Sequence, residues 1–418
     1  MKTSSLAMWA LFDQAVVSVT RFLIAIMIGK YGSESELGLY SVGFGLLIVI
    51  TTGQESLLTT PYTFFVSRMK EARQRSYAAN TLTATFMYLL LAMIVVLGAM
   101  LFTWLFRTQS NFLPILSVLL VITPVALLRE FFRRWLFAHM RIPLAAGLDL
   151  VFSGALLTGL FALTRFSEVT AVNAFLVSAG ASLVVVVVAA VQFRGDFETK
   201  KSRFGLDTYR NLRFGRWTAG ASLLSACLMY FSHWYLALKH GESVAGLFAA
   251  CMTIVLLANP FLLGISSFLA PRAAREFANH GKVGVRRLVG IFLVIVATVL
   301  ALFSLVMFQI GDQLLGLLFN AGFQGHPMAI GILSLAMLGL GINYTVACGL
   351  RAIVLPQHDM YASVIGLGST VILTLVVQPS ETESMAICFA IGVWMMAAYR
   401  LAMFMHLVRP SAQAALAN

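Results

Sequence analysis

Seven residues carry polar or ionisable groups into stretches that are otherwise apolar: Asp13, Gln14, Arg21, Gln54, Glu55, Asp149 and His233. Placing charge at membrane depth costs about 2.5–3.5 kcal/mol on insertion scales, so such groups face a partner or a wet cavity and mark substrate or ion pathways. A carboxylate there can exchange a proton or hold a small cation, and an arginine can meet an anion. One reading is a hydrated cavity in which Arg21 meets an anionic group while Asp13 or Glu55 titrates or pairs. The plainer reading is an Asp13–Arg21 or Glu55–Arg21 ion pair that only holds helices together. For Asp149, a solvated helix start serves equally well, and His233 fits a satisfied core histidine as well as a proton carrier. Asn343 and Gln309 read as interhelical hydrogen-bond glue.

Other chemistries lack their residues. There is no phosphate-cradling Gly-rich loop with Lys and Ser/Thr, no HExxH, no Cys/His ligand set and no G-x-S-x-G turn. The connecting loops with acids such as Glu34, Glu36, Glu168, Glu381 and Glu383 are short. The expectation is a protein that is not an enzyme, with no cofactor and no metal. Cys227, Cys251, Cys348 and Cys388 all fall in apolar segments without framework spacing and read as small core residues.

The elements that must position these groups follow from composition. Of 418 residues, 60% are hydrophobic and 11% charged, with a mean hydropathy of +0.88. Soluble domains carry about 25% charged residues, so this is the balance of a polytopic membrane protein. A crossing helix needs about 20 mainly apolar residues. Runs of that kind lie near 6–28, 38–60, 77–106, 112–128, 143–164, 170–192, 217–238, 244–268, 288–310, 327–350, 360–378 and 384–407. The sequence therefore predicts an all-α integral membrane protein with about twelve transmembrane helices.

The formal charge of +12 does not mark a nucleic-acid surface, because no continuous basic patch lies between aromatics. The cations instead alternate along the chain. Connections after even-numbered spans hold Arg68, Lys70, Arg73 and Arg75, then the 129–141 group, then Lys200, Lys201 and their neighbours, then the 272–287 group, then Arg351. Lys2, Arg400 and Arg409 join that side; Lys30, Arg107, Arg165 and Lys239 fall on the other. The positive-inside rule predicts both termini in the cytoplasm; the expected location is the cytoplasmic membrane. Anionic lipid headgroups account for most of the Arg-rich segments.

The chain also repeats itself. Lys30 and Gly32 match Lys239 and Gly241 at an offset of 209; Gly38, Leu39 and Tyr40 match Gly246, Leu247 and Phe248 at 208; Trp9 matches Trp217; Arg141 matches Arg351. An even number of spans per copy makes the copies parallel, an internal-repeat signature of transporters. The expected division is an N-lobe over 1–192, a cytoplasmic linker over 193–216 and a C-lobe over 217–418. Asp13, Arg21 and Glu55 correspond to Ala221, Met229 and Leu263, so the two copies share a frame and differ in polar equipment.

Span 1 has a polar side: Asp13, Gln14, Ser18, Thr20 and Arg21 fall within an arc of roughly 160°. Glu55 shares a face with Thr51, Thr52 and Thr59, flanked by Gln54 and Ser56. If the first two spans pack antiparallel, Asp13 and Glu55 come to similar depth, with Arg21 roughly 10 Å deeper.

This pattern resembles the multidrug/oligosaccharidyl-lipid/polysaccharide exporter superfamily. Within it, FDQAVVSVTRFLIAIMIGKYGSESELGLYSVGFGLL is similar to the start of the O-antigen and polysaccharide flippases, with a polar first span and a Gly-Leu-Tyr entering the second. The resemblance implies a V-shaped pair of six-helix lobes, alternating access and a cation-lined cavity, to which Arg21 and His233 could contribute. It implies a lipid-linked oligosaccharide of polyprenyl-pyrophosphate type as substrate, an H+ or Na+ gradient as driving force, and membrane lipids and polysaccharide assembly proteins as partners. The alternative within the superfamily is a cation-coupled multidrug or small-molecule antiporter, for which Asp13 would suit coupling. A third reading, a non-transporting scaffold in an assembly complex, leaves the charges of the first spans without a use.

Overall fold

The computed structural model describes residues 3–105, 112–197, 203–353 and 357–408. Lys2, Arg107, Lys200, Lys201 and Arg409, counted above in the charge distribution, lie outside the described residues. In lipid every backbone donor and acceptor must be satisfied within its own segment, and among the described residues every regular element is helical. The helices are α1 (Thr3–Tyr31), α2 (Glu34–Gln54), α3 (Thr60–Val66), α4 (Glu71–Leu105), α5 (Phe112–Ala138), α6 (Ile142–Phe166) and α7 (Ala171–Phe193). They continue as α8 (Phe204–His240), α9 (Glu242–Val255), α10 (Asn259–Leu318), α11 (Pro327–Ala352), α12 (Gln357–Val377) and α13 (Thr382–Leu407).

Among the described residues, eleven stretches are long and apolar enough to cross a membrane, and one of them runs the 77 residues from Glu242 to Leu318. Gly281 divides that stretch, with φ 60° and ψ −149° inside α10, a conformation open to glycine. Divided there, the stretch supplies two crossings, and the count agrees with the about twelve expected. The chain is a multi-pass, all-α membrane protein. Its outer surface fits that reading: Leu90, Ile94, Val95 and Phe102 of α4 are all exposed, where a soluble helix would show charge.

Local sequence sets the helix ends. The Ser33 hydroxyl accepts from Glu36 N at the start of α2, and Thr170 accepts from Asn173 N at the start of α7. Glu381 and Ser384 cap α13 reciprocally. Between α2 and α3 the ladder widens to π geometry over Glu55–Thr59. Pro61, which follows, has no N–H to give to the Leu57 carbonyl, and the widened turn absorbs that gap.

Two segments differ from the sequence expectation. The fourth span, expected to end near 128, runs to Ala138 as α5, so Arg129, Glu130, Arg133 and Arg134 are helical residues. The charges of Glu130, Arg133 and Arg134 pair within the fold, which removes the reason to place them in a loop. The connection expected over 269–287 is likewise helical and bends only at Gly281.

The chain forms two compact units, one of Met1–Ala226 with His233–Gly246 and one of Cys227–Ser232 with Leu247–Asn418. In the first, α1 packs on α6, and α5 packs on α2, α4 and α7. Its core has Tyr62, Tyr77, Phe131, Trp135 and Phe193 in one cluster and Leu47, Ile115, Leu119, Ile122 and Phe175 in another. Also within this unit the two copies of the repeat meet. Ser35 Oγ and Ser243 Oγ share a hydrogen bond of 2.7 Å across 208 residues. A Cβ on Gly38 would collide with the Glu242 carbonyl, and one on Gly246 with the Glu34 carbonyl. The small residues allow backbone contact there.

The second unit is built around α11, which packs on α10 and α13, with α12 against α13. Asn343 of α11 donates from Nδ2 to Gly339 O and Val393 O, both at 3.3 Å, the interhelical role expected of it. Cys251, Cys348 and Cys388 are buried and Cys227 half-buried, and all four are free thiols.

Candidate functional site

Arg133 of α5 stands between two buried carboxylates. Its Nη2 donates to Asp13 Oδ2 of α1 at 2.6 Å, and its Nε to Asp149 Oδ2 of α6 at 2.6 Å. Asp13 is 1% exposed and Asp149 2%. One planar guanidinium therefore serves two acids from two different helices, a use of its fork that lysine could not reproduce.

The pairing extends along α5. Arg133 Nη1 lies 3.5 Å from Glu130 Oε1, Arg134 Nε donates to the same oxygen at 2.8 Å, and Arg134 also pairs with Glu55. Glu55 opens the π segment, so the widened turn sets where its carboxylate emerges. Gln54, fully buried beside it, donates from Nε2 to Leu127 O of α5 at 3.0 Å. Thr20 of α1 donates to Ser153 Oγ of α6 at 2.8 Å and extends the polar seam along those two helices.

Two further arginines sit near this network without a salt bridge among the described residues. Arg129 lies 3.6 Å from the Phe152 ring, and its Nε and Nη1 are buried with no hydrogen-bond partner. Arg21 is exposed on α1, 6.0 Å from the Phe44 ring.

Of the residues singled out in the sequence, Asp13 and Asp149 come together through Arg133, and Glu55 joins them through Arg134 and Glu130. The partner of Asp13 is Arg133 and that of Glu55 is Arg134; neither pairs with Arg21. Asp149 is a buried acid in an ion pair, not a solvated helix start. Gln14 is half-buried beside Asp13 and enters none of these pairs. His233 is buried on α8, next to Trp234, whose indole donates to Val42 O at 3.2 Å, and it contributes none of the ion pairs above.

The sequence reading missed Arg133 and Arg129. The signal was present in REFFRRW: charges at 129, 130, 133 and 134 alternate with apolar residues at 131, 132, 135 and 136 at helical spacing. A second ionic knot was also missed. In the other unit Arg351 Nε donates to Asp359 Oδ2 at 2.7 Å, and Arg400 Nη2 lies 3.3 Å from Asp359 Oδ1. Asp359 follows Asp149 by 210 residues, the offset of Arg141 and Arg351, so both copies place a buried aspartate early in the following helix. Polar equipment is shared to that extent.

No protein-family model and no curated sequence matches the chain. Solved structures do match. A multidrug resistance MATE family transporter of the MOP superfamily, in its inward-facing conformation, superimposes with a TM-score of 0.76 at 15% identity, covering 94% of each chain. The chain has the fold of the MATE transporters. The outward-facing conformation of such a transporter matches with a TM-score of 0.65 at 13% identity over 96% of this chain and 94% of the other. A Vibrio cholerae MATE transporter matches at 0.64 and 16% identity over 98% of both. At these identities the likeness is one of fold.

Proposed function

We propose that the chain is a secondary transporter of the alternating-access kind, working as a proton-coupled antiporter of small organic molecules. Its N-lobe over 1–192 and C-lobe over 217–418 are joined through 193–216, with both termini cytoplasmic in the cytoplasmic membrane. The observation that supports this reading is the Asp13–Arg133–Asp149 clamp, which ties three helices through buried charge.

Protonating either aspartate removes one of Arg133's counter-charges and the charge-assisted hydrogen bond with it. Breaking one side of a buried pair costs about 3–5 kcal/mol. A proton arriving at Asp13 or Asp149 therefore weakens what holds α1, α5 and α6 in this arrangement and shifts the balance toward another. A sodium ion would have to displace the guanidinium from between the carboxylates, so the proton is the coupling ion that the geometry favours.

A second reading, a flippase for a polyprenyl-pyrophosphate-linked oligosaccharide working with assembly proteins, draws support from Arg129 and Arg21. Neither cation forms a salt bridge among the described residues, although Arg129 lies in the field of Asp149 and Glu130. Reconstitution separates the two. Liposomes that move ethidium in response to a pH gradient support the antiporter. Movement of a fluorescent lipid-linked oligosaccharide, with ethidium unmoved, supports the flippase and overturns the antiporter.

A further inference from the structure

Beyond Gly281, one face of α10 carries Val283, Arg286, Arg287, Gly290, Ile291 and Val294, and these six line a shallow groove of ≈ 530 Å³ on the second unit. Their spacing places them on one helical face. Gly290 lowers the floor, because no atom lies within 4 Å of where its Cβ would stand. Val283, Ile291 and Val294 are 67%, 51% and 68% exposed.

The two arginines lie along this face between Val283 and the Gly290–Val294 stretch, and both are exposed. Glu276 is the one acid in the stretch 271–287, and it is engaged by His280 at 2.9 Å. Arg272, Arg275 and Lys282 make the same stretch of chain strongly basic. An apolar strip open to the surface calls for a hydrocarbon neighbour, and paired arginines call for an oxyanion.

We propose that this groove is a binding site for one anionic phospholipid. The phosphate lies between Arg286 and Arg287, and an acyl chain runs along Gly290, Ile291 and Val294, about 6 Å of helix. A second groove in the same unit, ≈ 430 Å³ and lined by Ile332, Ile387, Ile391, Trp394 and neighbours, carries no charge. It offers acyl contact without headgroup selection, which makes the charged groove the selective one. The site is independent of what the chain transports.

The test is native mass spectrometry of the full chain in detergent, titrated with phosphatidylglycerol and, separately, phosphatidylcholine. Phosphatidylglycerol is retained preferentially. R286Q/R287Q lowers its affinity roughly 30-fold, on the scale of two basic residues at an anionic surface. R272Q/R275Q removes the same amount of charge from the other side of Gly281 and leaves that affinity within about threefold, because neither residue lines the groove. G290L, with every charge kept, fills the groove and also weakens retention. Equal retention of the two lipids, equal losses in the two arginine pairs, or no effect of G290L would each overturn the site.

Discussion

Asp13 and Arg133 lie 120 residues apart in the chain and meet at 2.6 Å in its interior. The same arginine holds Asp149, so a single side chain from α5 fixes α1 against α6. Few contacts in the first unit concentrate as much charge in as little exposed surface.

Arg133→Ala strands two buried carboxylates. The expected cost is about 3–5 kcal/mol, read as a lowered thermal midpoint in detergent. The triple variant D13N/R133A/D149N recovers most of that loss, because nothing charged is left unpaired. Arg133→Lys keeps the charge but not the fork and falls in between. An R133A midpoint equal to that of the unsubstituted chain contradicts the clamp.

In the second unit, Asp359→Asn removes the carboxylate facing Arg400, which is 5% exposed. A destabilisation comparable to that of Asp149→Asn is expected, given their equivalent places in the repeat. Adding Arg400→Leu to Asp359→Asn restores part of it. Measured midpoints that show no loss for Asp359→Asn would reduce the knot to a surface pair like those worth about 0–1 kcal/mol.

Gly38→Val places a branched side chain against the Glu242 carbonyl. Overpacking of this kind costs about 1–3 kcal/mol, and Gly246→Val carries a similar penalty from the other copy of the repeat. Gly98, with nothing within 4 Å of its Cβ position, tolerates the same change and serves as the control in thermal-shift measurements.

His139 lies just past the end of α5, its Nε2 3.0 Å from the Tyr62 hydroxyl. Burial, and then the Arg141 charge, hold its imidazole below the ordinary histidine range. The folded chain thus favours the neutral ring, and the unfolded chain takes up the proton first as pH falls. This contribution is complete above the unfolded value of about 6.5 and is lost as pH drops through the window below it. His139→Gln flattens the pH dependence of the thermal midpoint over that window; an unchanged slope contradicts the assignment.

Much of this was legible in the chain itself. Span lengths and the alternation of cations gave the helical membrane fold, and Asp13, Glu55 and Asp149 stood out because lipid makes lone acids costly. Their partners did not stand out. Arg133 and Arg134 look like the topological arginines at 68–75, and only the fold shows that α5 continues far enough to bring them to the acids. The helical continuation through 269–287 was hidden for a similar reason, since polar residues and Gly281 read as a loop while the backbone needs one bend. Asp359 escaped notice because the span expected over 360–378 left it in the preceding connection, whereas α12 begins at Gln357.

The central claim is that a proton acts through Asp13 and Asp149 on Arg133. Its most direct test is ethidium transport in proteoliposomes across imposed pH gradients, comparing the unsubstituted chain with Asp13→Asn and Asp149→Asn. The account predicts gradient-driven ethidium movement in the unsubstituted chain and loss of its pH dependence in each variant, with both variants still folded and inserted. Variants that move ethidium with an unchanged response to pH would contradict it.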